Sequence, residues 1–292
     1  AAQADDFPPT VVHSPGAPAA SPNRASEIER PLRYRPENGD FVIDNGTARF
    51  NRPLYGYQTA FRIEAGDRPE FGLATPRKGG VLRIGISTTQ GRRWLTDAAH
   101  VRARYRPGSM VYEVRDALLG EATLSVAVLP TKDAEGLVLR AELSGETTAP
   151  VELVFLFGGA SNEAINNRNG DIMGGRDNAE KWELLPADCA GQTVTASAAR
   201  FELHGKAGVF AGTLSAGEWS VGDATTAARL NDALTSVATD AHPIAIGRTP
   251  LTAGTPVFLA LERSAQSTPV ARTPLKLKEV FAAAEAYRRD VV

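Results

Sequence analysis

The chain has 292 residues, 42% of them hydrophobic, and a formal net charge of −2. That balance excludes the basic excess of a nucleic-acid binder, no apolar run is long enough for a membrane-spanning helix, and a single cysteine excludes an intrachain disulfide. The length suffices for a sizeable core and, in an all-β chain, for one large sandwich instead of two domains.

Residues 1–37 read as an extended or disordered tail. Pro8, Pro9, Pro15, Pro18, Pro22, Pro31 and Pro36 stand among Ala, Ser and Asn, a composition with little to bury. Ala1-Ala2-Gln3-Ala4-Asp5 has the small residues left when a signal peptide is removed, so the protein is expected to be exported, either periplasmic or secreted. A cytoplasmic location stays open as the alternative.

Residues 38–272 carry a strand rhythm. Phe41-Val42-Ile43 and Ala48-Arg49-Phe50 flank Asp44-Asn45-Gly46-Thr47, and Asn-Gly between β-prone runs predicts a primed hairpin turn. Leu82–Ile86, Val101–Tyr105, Val111–Val114 and Leu124–Val128 alternate apolar and polar residues, the period of strands with one face buried and one wet. Val151–Phe157 is the most apolar strand and predicts burial on both faces near the middle of the sandwich. A long polar interruption, Gly158 to Lys181, follows. Strands resume at Trp182–Leu184, Thr193–Thr195, Arg200–Leu203, Ala207–Phe210, Trp219–Val221 and Pro256–Leu261. The expected fold is therefore all-β, a large antiparallel, supersandwich-like β-sandwich.

Residues 273–292 change to helical periodicity. Leu277, Val280, Phe281, Ala284, Tyr287 and Val291 recur at three- and four-residue steps, and Ala282-Ala283-Ala284 are strong helix formers. Neither Gly, Asn nor Pro stops the helix, which suggests a linker to a domain not present in this chain.

Chemistry-bearing motifs are scarce. His13, His100, His204 and His242 lack ligand-spaced neighbours, Cys189 has no Cys-His signature and reads as a small hydrophobe, and the nucleophile elbow, the phosphate loop and the dinucleotide fingerprint are missing. Asp67 and Glu70, or Asp171 and Asp177, could supply the two carboxylates of glycoside hydrolysis, but Asp67-Arg68-Pro69-Glu70 reads first as a structural turn in which Arg62 or Arg68 pairs a carboxylate. No catalytic residue and no metal ligand is assigned.

The Gly158 to Lys181 loop is the best functional candidate, because a connector of that length is seldom kept without a use. Asn162, Asn167, Arg168, Asn169, Asp171 and Asp177 offer planar, paired hydrogen bonds suited to sugar hydroxyls or to a neighbouring domain. No cofactor is expected; calcium competes for the same oxygen ligands, at a spacing that fits no EF-hand. Trp94, Trp182 and Trp219 could stack on sugar rings but read first as packing residues.

Several stretches together carry a resemblance. They are Asn51-Arg52-Pro53-Leu54-Tyr55-Gly56, Ala65 to Phe71, Gly79-Gly80, Arg104 to Tyr112, Leu118-Leu119-Gly120, Val128-Leu129-Pro130 with Gly136-Leu137, Phe157-Gly158-Gly159, Asn169-Gly170-Asp171, and Cys189. Spanning residues 40–205, they resemble a bacterial domain-of-unknown-function family that stands at the N-terminus of six-hairpin, (α/α)6-type glycosidase-like proteins. The resemblance implies carbohydrate chemistry carried by a following helical domain, which would supply the acid and base and be the main partner, in the same polypeptide or as a second chain. Two other readings stay open: a free-standing carbohydrate-binding or interaction module, and the sandwich part of a polysaccharide lyase.

Overall fold

The computed structural model describes residues 33–56, 59–165, 180–264 and 272–291. The chain divides into residues 1–33 and a second unit, 34–292, to which everything below belongs.

Among the described residues, the strands form two antiparallel sheets. The first has ten strands in the spatial order β1 (Arg35–Glu37), β2 (Asp40–Asp44), β8 (His100–Arg106), β9 (Ser109–Arg115), β10 (Thr123–Pro130), β11 (Glu135–Ser144), β18 (Val257–Ser264), β15 (Gly208–Leu214), β14 (Arg200–Gly205) and β13 (Thr193–Ser197). The second has eight. Its order is β16 (Glu218–Asp223), β17 (Pro243–Leu251), β12 (Val151–Gly158), β6 (Lys78–Thr88), β5 (Glu70–Ala74), β4 (Arg62–Ala65) and β3 (Arg52–Leu54), with β7 (Gly91–Trp94) paired to β6. Most neighbours are joined by short connections, as the turn spacing of the sequence requires.

The alternation of side chains assigns the faces. Leu82, Ile84 and Ile86 of β6, Phe71 and Leu73 of β5, and Leu153, Phe155 and Phe157 of β12 point inward, meeting Tyr112, Val126, Leu139, Phe201, Phe210 and Leu259 of the other sheet in one central core. Val154 and Leu156 of β12 point the other way. They are buried with Trp94, Ile244 and Ile246 under a second layer that includes α1 (Pro186–Cys189), the turn Ala224–Thr226 and α2 (Leu230–Thr235). The near-continuous apolar run Val151–Phe157 thus reflects burial on both faces, as its composition implies.

The outer face of the ten-stranded sheet is covered by α3 (Leu277–Val291). Leu277, Phe281 and Ala284 pack on Ala127, Leu129, Val138, Phe258 and Ala260, with Val280 beside them. Phe281 stands 5.9 Å from Phe258, ring centre to ring centre, and the Arg140 guanidinium lies 5.2 Å over its ring. The helical stripe read from the sequence therefore has its partner in the sandwich itself.

Three local expectations give way to tertiary structure. Asp44–Thr47 is not a hairpin: β2 belongs to one sheet and β3 to the other, and Ala48–Phe50 is not a strand. Asn45 takes φ +50°, as an Asn-Gly turn would require, but its backbone N–H donates to the Val101 carbonyl and its side-chain oxygen accepts from the Val101 N–H, so the turn prolongs the β2–β8 pairing. Trp182–Leu184 is not a strand either. The predicted tail also ends earlier than residue 37, because Arg35–Glu37 pairs with β2 and the Tyr34 hydroxyl donates to Asp67.

Replacing Phe281 by Ala removes a buried ring at the centre of the helix contact. Chemical denaturation of this variant is expected to show a loss of about 3–5 kcal/mol. A loss under about 1 kcal/mol would mean that the helix packs without depending on this ring.

Candidate functional site

Among the described residues, a concavity lies on the covered side of the eight-stranded sheet. It is a cleft of about 560 Å³ reached by side chains from distant parts of the chain. Its floor comes from the strands. Glu70 of β5 and Arg83 of β6 are directly opposed in the ladder, and both occupy positions pointing away from the central core. The link between β2 and β3 brings Arg49, the turn after β4 brings Arg68, and the turn Leu95–Asp97 brings Thr96 and Asp97. One wall is formed by Glu183, Leu184 and Pro186, and Thr225 of the turn Ala224–Thr226 also lines the cleft.

Arg83 is fixed on several sides. Its guanidinium lies 4.3 Å over the Trp94 ring, Nη1 donates to the Ala227 carbonyl at 2.7 Å, and Nε is 3.6 Å from Glu70 Oε1. The indole Nε1 of Trp94 donates to the next carbonyl, that of Ala228, at 3.2 Å, so one short segment holds both the cation and the ring beneath it. Arg49 grips the other Glu70 oxygen, Oε2, with Nη2 at 2.9 Å and Nε at 3.2 Å, and its Nη1 reaches to 3.7 Å from Glu183 Oε1. Arg68 is held by carbonyls, through Nε to Gly46 at 3.0 Å and Nη1 to Ala98 at 2.9 Å.

Burial pushes the Arg83 guanidinium below the usual arginine range, with Glu70 and then Asp97 opposing the shift; burial does the same at Arg68, opposed by Asp97 and Asp67. Both remain cations at neutral pH, because the starting value is so high. Asp97 and Glu183 stand exposed at the mouth.

The wall carrying Glu183 is anchored independently. Lys78 and Asp188 form a buried ion pair at 2.5 Å, their side chains 4% and 7% exposed, and Lys78 Nζ also donates to the Glu183 carbonyl at 2.7 Å. Trp182 packs on β5 at Gly72, where an added Cβ would come within 2.3 Å of the indole. Cys189 is buried at the end of α1, and burial pushes its thiol up to about 12.

Of the six residues singled out in the Gly158 to Lys181 loop, the structure describes Asn162. It is exposed at φ +58°, its N–H donates to the Lys78 carbonyl at 2.9 Å, and its carbonyl accepts from Arg77 Nε at 2.7 Å. It pins the start of the loop to the edge of β6 and does not line the cleft. Asn167, Arg168, Asn169, Asp171 and Asp177 lie outside the described residues, and so do the oxygen ligands considered for calcium. Among the described residues there is no cluster of three or more His, Cys, Asp or Glu able to hold a metal ion.

Asp67 is a buried structural carboxylate, accepting from the Ala48 N–H at 2.7 Å and from Tyr34. Glu70 is paired, but by Arg49 and Arg83; Arg62 pairs Glu64 instead, and Arg68 is taken up by carbonyls. Trp94, Trp182 and Trp219 are all buried packing residues. Arg49, Arg83, Asp97 and Glu183 went unrecognised in the sequence. One signal was there: Arg83 is a charge in the most regular apolar stretch of the first half, in a strand that is otherwise covered.

Removing one partner of the Lys78–Asp188 pair leaves a buried charge, so Lys78→Met is expected to cost about 3–5 kcal/mol in urea denaturation, with Lys78→Met/Asp188→Leu recovering most of the loss. A double variant no better than the single one would show that the pair is not the anchor. Cys189 should resist a thiol reagent at about pH 8 in the native protein and react promptly in denaturant, since the thiolate is the reactive form. Equal rates in the two states would contradict its burial.

No curated protein matches the chain. Among solved structures, the fold is shared with a bacterial glucoamylase crystallised with acarbose, at a TM-score of 0.50 and 10% identity, over 85% of this chain. The chain spans 40% of the length of that glucoamylase. A family model, described as a domain of unknown function (DUF4450), matches residues 75–284. The chain therefore belongs to the DUF4450 family.

Proposed function

We propose that the chain is the accessory β-sandwich of an exported bacterial glycoside hydrolase that acts on a poly- or oligosaccharide, with the bond-breaking carboxylates on a helical (α/α)6 domain outside this chain. The observation that carries the reading is the shared fold: 85% of this chain superposes on 40% of a glucoamylase, the proportion expected of one module in a larger enzyme. The chemistry of the cleft agrees with a supporting role. Glu70 is engaged by guanidinium groups at both oxygens, Arg49 at 2.9 Å and Arg83 at 3.6 Å, which ties its carboxylate into the sheet surface.

A free-standing carbohydrate-binding module is the second reading, and one observation favours it. The apolar face of α3 is already covered by the ten-stranded sheet, so the helix needs no further domain to bury it.

The two readings separate in a reducing-sugar assay. The 292-residue chain alone is expected to release no sugar from glucans, xylans or mannans, whereas the gene product read through beyond Val292 should do so. Release by the chain alone, abolished by Asp97→Asn or Glu70→Gln, would overturn the accessory role. A gene that stops at Val292 with no activity would leave the binding module.

A further inference from the structure

We infer that the cleft over Glu70 and Arg83 is itself a binding site for a neutral oligosaccharide. The inference rests on the carbohydrate reading above and adds to it a site and a ligand class.

Size comes first. About 560 Å³ lies within the range of small-molecule sites. Charge then selects among small molecules. The three cations Arg49, Arg68 and Arg83 face the three carboxylates Glu70, Asp97 and Glu183, so the formal charge of the lining is zero. An anionic ligand such as a phosphate or a uronate would gain no net attraction from a lining of zero formal charge. A neutral polyol needs none, because each hydroxyl can donate to a carboxylate and accept from a guanidinium.

The donors are also held ready. Arg68 and Arg83 are tied by backbone carbonyls and, for Arg83, by the Trp94 ring, so little side-chain freedom is lost when a ligand arrives. A guanidinium has more N–H donors than these bonds use. The exposed carboxylates of Asp97 and Glu183, from two separate segments of the lining, add acceptors for ligand hydroxyls. Leu184 and Pro186 supply an apolar strip on one wall, suited to the C–H face of a pyranose ring.

Isothermal titration of the 292-residue chain with maltotetraose, cellotetraose, xylotetraose and mannotetraose, with trigalacturonate as the anionic comparison, tests this. At least one neutral tetrasaccharide is expected to bind saturably. The Asp97→Asn/Glu183→Gln variant, altered only at exposed positions, should bind it about tenfold more weakly with an unchanged melting temperature. Hydrogen exchange of the unaltered chain gives a second measure: the same sugar should protect the amides of residues 94–97 and 183–185. The inference is overturned if none of the four neutral sugars saturates the chain, if trigalacturonate binds more tightly than all of them, or if the double variant binds as well as the original. Absence of binding alongside sugar release by the longer protein would remove this site and leave the accessory role; binding without any such release would do the reverse.

Discussion

Glu70 and Arg83 face each other on a sheet surface that a second layer covers, and the arrangement around them follows from having to satisfy two charges where water is scarce. A carboxylate and a guanidinium in such a place are costly unless each finds geometry and further hydrogen bonds. Here the pair is extended sideways by Arg49, downward by the Trp94 ring and outward by the Ala227 carbonyl. The segments that complete it, from the β2–β3 link to the turn at Ala224–Thr226, are far apart in sequence. The cleft is the space left where these segments meet the charged floor without closing over it.

Each sheet solves the problem of its outer face in its own way. The ten-stranded sheet presents an apolar patch, and one amphipathic helix covers it with Leu277, Phe281 and Ala284. The eight-stranded sheet carries a mixed surface, apolar around Val154 and Leu156 and charged around Lys78, Glu70 and Arg83, and it is covered by short irregular pieces. Irregular cover suits a mixed surface because loops and turns bring backbone carbonyls as well as side chains. The carbonyls of Gly46, Ala98, Glu183, Ala227 and Ala228 all serve cationic or indole donors in this layer.

Most strands could be read from the sequence because their period-two pattern is a direct image of a face half buried, as at Val101–Tyr105 and Leu124–Val128. The C-terminal helix was legible for the same reason at a different period. What could not be read depends on contacts between remote residues. Asn45-Gly46 has the residue types of a hairpin turn, yet Val101 claims both its backbone and its side chain. Trp182 looked like a strand residue because aromatic residues favour strands, yet it serves as a lid on a glycine. The partners of Glu70 were sought among its neighbours in sequence and came instead from Arg49 and Arg83, since a strand faces its cross-strand partner more closely than its own flanks. Of the site candidates, Asn162 is bonded through its backbone to Lys78 and Arg77. The residues that line the cleft carry no motif, because a charge-balanced lining is a property of the assembled surface.

Gly72 gives this architecture an adjustable dimension. The Trp182 indole rests on bare backbone there, and the wall that holds Glu183 and Leu184 follows directly in the chain. The ring thus occupies the space that a side chain at this strand position would take. Among relatives of this chain, a larger residue at this one position would act as a spacer, raising the wall and widening the cleft without altering any group that lines it.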